Sequence, residues 1–299
     1  MNRESALMLN EMNRDFYSRN WKTFSNTRGE PWEGWNRLAS LLHLEWDFDE
    51  LECSDKHRRV LDIACGNLRF EEFLESEFPN SELDITGIDS TGYLVNDGKP
   101  EPGARFEFVE ADIIGELASD MDGNGAWLSK SAPASSTVER EREQLIRNTA
   151  AQTAKRLLQA PSGDEASYDL SVCFGFMHHV PGKELRRALL DMMACCTSSG
   201  GLVCLTFWMF GEDPRMLDKA YSETESGLEV HPEVRQILEP GDFLLGWQSL
   251  ETEFRYCHSF NSEEVDELVD STVGAEKIAD FRADGRGSKS NRYIVLRIG

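Results

Sequence analysis

Apolar residues recur along this chain in two alternating rhythms: short continuous runs, and longer stretches with helical spacing. The runs predict strands at residues 59–64, 83–88, 105–110, 168–174 and 201–208. Helical spacing predicts a helix at 67–78, between the first two runs, and another at 183–196, between the last two. Strands that alternate with helices are typical of an α/β domain with a mostly parallel sheet and helices on both faces.

Both ends of the chain carry further predicted elements. Leu9, Met12 and Phe16 have helical spacing within residues 3–21, and Pro31 suits the first turn of a second helix. We interpret residues 1–45 as an N-terminal helical cap. The C-terminal part predicts a helix and then an antiparallel pair of strands, at 262–272, 275–282 and 291–298. We therefore expect a single domain over residues 1–299.

Two long connections interrupt the alternation. Residues 113–167 far exceed the few residues usual between elements. They contain a Gly/Ser/Pro-rich stretch and then a helix that begins with the capping box Ser136-x-x-Glu139. We interpret this segment as an insertion that packs on the domain near the mouth of the site, with a partner-binding helix as the alternative. Residues 211–258 are predicted to form an irregular excursion on the substrate side.

Composition is that of a globular protein, with 40% hydrophobic and 28% charged residues. The longest apolar run, 202–210, is too short to span a bilayer, and the N-terminus leads into no signal-peptide core. The 7 cysteines lack the spacing of a disulfide framework, which fits a reducing compartment. We expect a cytoplasmic protein without membrane contact. No Cys/His set has zinc-site spacing, so we expect no metal.

The formal net charge of −23 bears on the choice of partners. Proteins that bind nucleic acids usually have a basic surface, because neutralised phosphates supply much of the affinity. A chain this acidic repels a polyanion, although salt screens that repulsion beyond about 10 Å. The segment 281–299 carries a local positive charge, which either balances acidic neighbours or binds an anion.

The most informative stretch is 60–70, where an apolar run ends in small residues and a helical pattern follows. A second apolar run ends about twenty residues later in Asp89. In such a βαβ unit the small residues let a ligand approach the backbone, and the acid accepts both ribose hydroxyls. Ala64 and Leu68 stand where a dinucleotide fingerprint has glycine, and Leu68 argues against a pyrophosphate there. The pattern favours an adenosine cofactor without phosphate, S-adenosyl-L-methionine (SAM).

Three motifs together resemble a class I SAM-dependent methyltransferase: Asp62-x-x-Cys65-Gly66-Asn67-x-Arg69, Gly87-x-Asp89 and Ala111-Asp112-Ile113. Four further segments resemble, in the same order, the tRNA wobble-uridine carboxymethyl methyltransferase family. They are Phe16-Tyr17 with Phe24-Ser25-x-Thr27-Arg28-x-x-Pro31-Trp32, Met177-His178-His179, Gly241 to Trp247, and Arg255-Tyr256-x-His258-x-Phe260. The resemblance implies a Rossmann-like seven-stranded sheet that ends in an antiparallel hairpin, a modified tRNA uridine as acceptor, and a small activator subunit as a possible partner.

In an open α/β sheet, ligands bind at the carboxyl ends of the strands, where the strand order reverses. The predicted cofactor residues are Arg28, Asp62, Ala64, Cys65, Gly66, Asn67, Arg69, Asp89, Ser90, Asp112, Ile113 and Phe174. Asp112 either accepts the adenine amino group or caps the next helix. Arg69 lies beside the methionine end, as the resemblance implies, or on the helix surface. The pairing of Arg28 with the methionine carboxylate rests mainly on the family pattern.

The fourth strand lacks the Asn/Asp-Pro-Pro-Tyr motif, which disfavours methylation of an exocyclic amine on a base. We predict that His179 faces the acceptor, with a local packing role as the alternative. Tyr256 and His258 share one face of a strand, opposite Arg255, and are predicted to line the pocket as catalytic residues unless the strand is purely structural.

These features predict methyl transfer to an oxygen, most simply a carboxylate, which is already anionic at neutral pH. The acceptor is the modified tRNA uridine that the resemblance implies or a small-molecule acid or hydroxyl. A catalytically inactive binding module is the remaining alternative.

Overall fold

The computed structural model describes residues 1–26, 29–46, 57–92, 105–124, 136–158, 168–247 and 250–299, without the side chains of 24–26, 136–139 and 250–251. Its helices are α1 Arg3–Asn26, α2 Glu33–Trp46, α3 Arg69–Glu77, α4 Ile113–Gly123, α5 Ser136–Leu157, α6 Lys183–Cys196, α7 Pro214–Val230 and α8 Ser262–Asp270. Its strands are β1 His57–Ile63, β2 Glu82–Asp89, β3 Arg105–Glu110, β4 Tyr168–Cys173, β5 Thr197–Trp208, β6 Asp242–Trp247, β7 Leu250–His258, β8 Ala275–Ala283 and β9 Asn291–Ile298.

Seven strands form one sheet in the order β3-β2-β1-β4-β5-β9-β8. Strands β1 to β5 pair in parallel, whereas β9 runs antiparallel to both β5 and β8. The Rossmann-like α/β fold with a C-terminal antiparallel hairpin is therefore confirmed. The strand order reverses between β1 and β4, which is where an open sheet of this kind binds its ligand.

The apolar runs form strands because both faces of the sheet are covered. Along β1, Val60 packs into one core with Trp35 and Leu74 from α2 and α3. Its neighbour Leu61 packs into the opposite core, which also contains Leu189 of α6. Successive side chains of a strand point to opposite faces, so a continuous apolar run suits a strand buried on both sides.

The predicted insertion begins later than expected. Residues 113–123 form α4, an ordinary helix after β3, which Asp112 caps by accepting from the Gly115 N–H. Helix α5 packs against α6 and α4, and none of its described residues lines the pocket described below; its placement near the mouth of the site stays a prediction. The Gly/Ser/Pro-rich stretch falls largely on residues 125–135, outside the described residues.

The segment 211–258 is not irregular, as the sequence suggested. It contains α7, a 3₁₀ turn at Pro232–Gln236, and strands β6 and β7, which pair as a separate two-stranded sheet. Helix α7 packs on this hairpin at Gly227, where a Cβ would lie 2.9 Å from the Cβ of Leu244. The hairpin in turn contacts α1, so elements distant in sequence form one wall above the sheet.

Within the described ranges, the helices have too many polar residues or too few residues to serve as a membrane span.

The close approach of α2 to β9 predicts that Gly34→Ala destabilises the protein. The added Cβ would lie 2.2 Å from Cζ of Tyr293, whose ring is fully buried and whose hydroxyl donates to Asp284 at 2.6 Å. We expect a loss of about 2–3 kcal/mol in the free energy of unfolding, measured with urea. The control is Gly123→Ala, which adds a methyl group in open space. Equal stabilities of the two variants would contradict this packing.

Candidate active site

A pocket of about 1130 Å³, counting the space at its open mouth, lies at the carboxyl ends of β1 to β4. The structure places there all the predicted cofactor residues that it describes: Asp62, Ala64, Cys65, Gly66, Asn67, Arg69, Asp89, Ser90, Asp112, Ile113 and Phe174. Arg28 lies outside the described residues. The sequence pattern thus located the pocket, and the geometry refines what each residue does.

The loop from β1 to α3 has a backbone conformation that favours glycine, although two of its residues are not glycine. Ala64, Gly66 and Leu68 have φ values of 61°, 58° and 60°. The left-handed conformation costs a non-glycine residue about 1–2 kcal/mol, and such strain is concentrated at functional sites. Leu68 is the N-cap of α3, and its side chain is buried. A buried leucine therefore fills the place where a phosphate-binding loop has glycine.

Asp89 ends β2 and is held by the backbone of two loops. Its Oδ2 accepts from the Gly66 N–H at 3.1 Å, and its Oδ1 accepts from the Thr91 N–H at 3.2 Å. Burial raises the pKa of Asp89 to about 6, although these backbone donors oppose the rise. The Ser90 N–H also contributes, and a carboxylate has about four acceptor positions, so Asp89 retains capacity for a ribose hydroxyl.

Asp62 lines the pocket, and behind it lies Glu71 of α3, a fully buried residue that the sequence analysis did not identify. Burial and the adjacent Glu71 raise the pKa of Asp62 well above its usual range. Burial also raises the pKa of Glu71, to about 7. Two buried carboxyl groups that act on each other in this way do not both ionise at neutral pH, so at least one of them retains a proton.

Asp112 is engaged as a helix cap and as an anchor for α1. Besides the Gly115 N–H, its carboxylate accepts from Asn10 Nδ2 at 2.9 Å and from Arg14 Nη1 at 3.2 Å. The capping alternative is thus what the structure shows. Contact with an adenine amino group stays a prediction.

Helix α1 supplies a wall of the pocket that the sequence analysis missed. Asn10, Asn13, Arg14 and Tyr17 all line it. Their i, i+3, i+4, i+7 spacing places these polar side chains on one face of the helix. This polar spacing is visible in the sequence, but the apolar spacing of Leu9, Met12 and Phe16 on the same helix predicts only the helix and not its pocket face.

Arg69 lies in the pocket rather than on an exposed helix surface. Its guanidinium is 5.9 Å from the ring of Trp32 and 5.4 Å from that of Trp35, and it donates to the Glu30 carbonyl at 2.9 Å. Desolvation lowers its pKa. Its buried Nε has no acceptor among the described residues, so it is available to an anionic ligand group. Phe174 packs beside Trp35 and completes this aromatic side.

His179 and Tyr17 form a hydrogen-bonded pair at the edge of the pocket. Tyr17 Oη lies 2.7 Å from His179 Nε2, and His179 Nδ1 lies 2.9 Å from the Tyr256 carbonyl. A carbonyl only accepts, so this contact assigns the proton to Nδ1 and makes Nε2 the acceptor for the tyrosine hydroxyl. His179 is therefore placed to take a proton that passes through Tyr17.

Cys257 approaches the histidine pair from β7, a cluster that the sequence did not predict. The ligand atoms of His178, His179 and Cys257 lie within 4.8 Å of one another. Burial raises the pKa of the Cys257 thiol to about 11, which keeps it protonated, and both nitrogens of His179 already have hydrogen-bond partners. Metal ligation here would require breaking these contacts.

Tyr256 and His258 do not line the pocket, which corrects their predicted position. Tyr256 Oη donates to Asp242 at 2.8 Å, and the ring nitrogens of His258 lie 2.7 Å from Asp242 and 2.9 Å from Glu264. Arg186 of α6 donates to both Glu264 and Tyr256. The two side chains share a face as expected, but α6, α7 and α8 cover that face. Their network joins the hairpin to the sheet domain.

No family model matches the chain, and no curated protein does so. Similar solved structures include a SAM-dependent methyltransferase from Methanosarcina mazei, with 15% identity over 84% of this chain and 95% of that one and a TM-score of 0.49. A SAM-dependent methyltransferase from Anabaena variabilis has 14% identity over 95% and 94%, with a TM-score of 0.43.

The N-methyltransferase NodS from Bradyrhizobium japonicum, in complex with S-adenosyl-L-homocysteine, has 12% identity over 88% of this chain and 86% of that one, with a TM-score of 0.44. Values of this size do not establish a family for this chain.

The buried network predicts that His258→Ala costs stability rather than ligand binding. Removing the imidazole leaves Asp242 buried without one of its partners, and breaking such a pair costs about 3–5 kcal/mol. Urea unfolding measures this loss. The control His43→Ala removes a half-exposed ring 3.8 Å from Glu77 and should change stability by less than about 1 kcal/mol. Loss of pocket ligand binding by a still-folded His258→Ala protein would contradict this assignment.

The carboxyl pair predicts a pH-dependent gain from Glu71→Gln. The folded pKa is raised, so the native protein retains a proton that the unfolded chain releases near its ordinary pKa of 4.5. Wild-type stability therefore falls as pH rises from about 4.5 to about 7. Glutamine needs no proton, so the free energy of unfolding of the variant should rise relative to that of the wild type between pH 5 and pH 8. Urea titrations measure this difference. Glu72→Gln, at an exposed neighbour, serves as control. If the stability difference between Glu71→Gln and the wild type were the same at pH 5 and at pH 8, the raised pKa of Glu71 would be refuted.

Proposed function

We propose that this protein is a SAM-dependent methyltransferase that acts on an oxygen, most simply a carboxylate. The observation that carries the proposal is the Asp89 carboxylate, held by the Gly66 and Thr91 N–H groups beside a loop whose phosphate position is filled by Leu68. That combination suits a nucleoside with a free ribose and no phosphate. The order of the sequence motifs supports the same conclusion.

The charges of the pocket fit the rest of this cofactor. Asp89 would hold the ribose hydroxyls, while Ile113 supplies an apolar surface for the adenine. Asp62 would face the methionine ammonium. The Nε of Arg69, which has no acceptor among the described residues, would donate to the methionine carboxylate. When bound, SAM supplies an electrophilic methyl group on a sulfonium. The protein's own part is to orient the acceptor and exclude water, which suits a pocket walled by α1 and by Trp32 and Phe174.

The acceptor side of the pocket is defined by Tyr17 and His179. A carboxylate acceptor needs no general base, because it is anionic at neutral pH; Tyr17 would then only orient it. The 2.7 Å contact between Tyr17 and His179 favours a second candidate, a hydroxyl acceptor. In that case the hydroxyl would give its proton to Tyr17 as Tyr17 gives its own to Nε2 of His179.

A modified tRNA uridine remains a proposed source of the carboxylate. The family-like segments support it, whereas the net charge of −23 opposes it. A free small-molecule acid is compatible with that charge.

The test is methyl transfer from radiolabelled SAM into an extract of the source organism, separated into RNA, protein and small molecules. We expect the label in the small-molecule fraction. Mild alkali should release it as methanol, because methyl esters hydrolyse under these conditions and methyl ethers do not. Alkali-stable label would favour the hydroxyl acceptor, and label in RNA would favour the tRNA. Binding of SAM without transfer to any fraction would support the inactive binding module.

The Tyr17–His179 pair predicts the size of the effect of Tyr17→Phe. With a carboxylate acceptor we expect kcat to fall about 10-fold with an unchanged pH profile, since only an orienting contact is lost. A general-base role supplies about 10²–10⁴-fold, so a loss in that range would indicate the hydroxyl acceptor. The control is Tyr221→Phe, at a side chain that is 59% exposed. Initial rates at saturating SAM between pH 6 and pH 9 give the comparison.

A further inference from the structure

Arg255 of β7 is a buried cation that no described acid meets in a hydrogen bond; Glu223 of α7 acts on it through its charge alone. Its side chain is 7% exposed, and its Nε and Nη1 have no hydrogen-bond acceptor among the described residues. Its guanidinium lies 5.1 Å from the ring of Phe16 and 5.3 Å from that of Trp247. Among the described residues, the thiol of Cys257 is a direct polar contact of this side chain.

The other buried arginines are paired. Arg186 donates to Glu264 at 3.0 Å, Arg187 to Asp191 at 2.9 Å, and Arg292 to Asp266 at 2.6 Å. Stacking on aromatic rings returns about 0.5–2 kcal/mol, less than the several kcal/mol that a buried unpaired ion costs. Arg255 departs from this pattern, and the simplest role for such a group is to bind an anion.

The position of Arg255 relates it to the acceptor side of the pocket. Arg255 and Cys257 lie on the same face of β7, and Cys257 Sγ is 3.8 Å from His179 Nδ1. Burial lowers the pKa of Arg255, but its neighbours Tyr17, Cys257 and Glu223 together raise it. The acids Asp62 and Asp89 line the cofactor side instead. Arg255 does not itself line the pocket; it lies beyond the Tyr17–His179 edge, where a group that extends past these two side chains would reach it.

We propose that Arg255 binds a carboxylate of the methyl acceptor and selects for it. This inference rests on the proposed function, because it assigns the acceptor to the Tyr17–His179 side of the same pocket. A guanidinium held between two aromatic rings presents its edge, and a planar carboxylate matches that edge. The small exposed fraction of Arg255 suits a compact carboxylate better than a phosphodiester backbone. The carboxylate belongs either to a free acid or to a carboxymethyl group on a nucleoside.

The first readout needs no ligand and uses Arg255→Met, because methionine fills the space between the two rings without a charge. If Arg255 awaits an anion, the urea midpoint of the variant should equal or exceed that of the wild type. Arg187→Met is the matched control, since it also removes a buried arginine but leaves Asp191 unpaired; its midpoint should fall. A fall for Arg255→Met as large as that for Arg187→Met would overturn the proposal in favour of a structural cation.

The second readout is the thermal midpoint of protein saturated with S-adenosyl-L-homocysteine. Benzoate and its neutral isostere benzamide probe a free acid, and 5-carboxymethyluridine and uridine probe the nucleoside source. We expect the carboxylate of one pair to raise the thermal midpoint of the wild type, whereas its neutral partner does not. The same carboxylate should leave the thermal midpoint of Arg255→Met unchanged. The responding pair identifies the source. Equal responses of wild type and variant, or no wild-type response to either carboxylate, would overturn the proposal.

Calorimetry with SAM separates the two levels of inference. Wild type and Arg255→Met should bind SAM equally, because Arg255 does not line the cofactor pocket. Absence of SAM binding by the wild type would refute the proposed function, and the carboxylate response would then still decide whether Arg255 is an anion site. Equal binding with full wild-type methyl transfer by Arg255→Met would refute the role of Arg255 alone.

Discussion

The hydrogen bond from the Gly66 N–H to the Asp89 carboxylate joins the ends of two adjacent parallel strands, and the shape of the pocket depends on it. It fixes the β1–α3 loop, in which Ala64 and Leu68 take left-handed conformations at a cost in backbone strain. It also holds the Asp89 carboxylate in place. Strand packing, loop strain and the position of the proposed ribose site are thus parts of one arrangement.

The second half of the site is brought to these strand ends by the tertiary fold. Asn13 of α1 accepts from the Tyr256 N–H at 2.8 Å, and Asn10 donates to Asp112. Helix α1 is therefore fastened both to the β6–β7 hairpin and to the sheet domain. This double attachment places Tyr17 against His179 and brings the face of β7 that carries Arg255 and Cys257 next to this pair.

The sheet was predictable because its strands are buried on both faces, and such strands appear in the sequence as continuous apolar runs. The pocket residues at the strand ends were predictable because they follow those runs directly. The β6–β7 hairpin was missed, although its residues alternate, since nearby prolines and glycines suggested irregular chain. Its strands are stabilised by contacts with α1 and α7, which local sequence does not reveal.

Periodicity placed Tyr256 and His258 on one strand face but did not say which element covers it. Arg186 and Asp242, distant in sequence, make that face a buried polar network. Glu71 and the α1 residues were missed for a related reason: acids and amides at helical spacing usually face solvent. Whether such a face meets water or a pocket is decided by tertiary packing.

Isothermal titration of the protein with SAM and with NAD⁺ at pH 7.5, on wild type and Asp89→Ala, tests the central claim most directly. Asp84→Ala, on the same strand but paired with His57, is the control. The account predicts one SAM per chain for the wild type and for Asp84→Ala, no binding by Asp89→Ala, and no binding of NAD⁺. Binding of NAD⁺, or SAM binding that persists unchanged in Asp89→Ala, would contradict it.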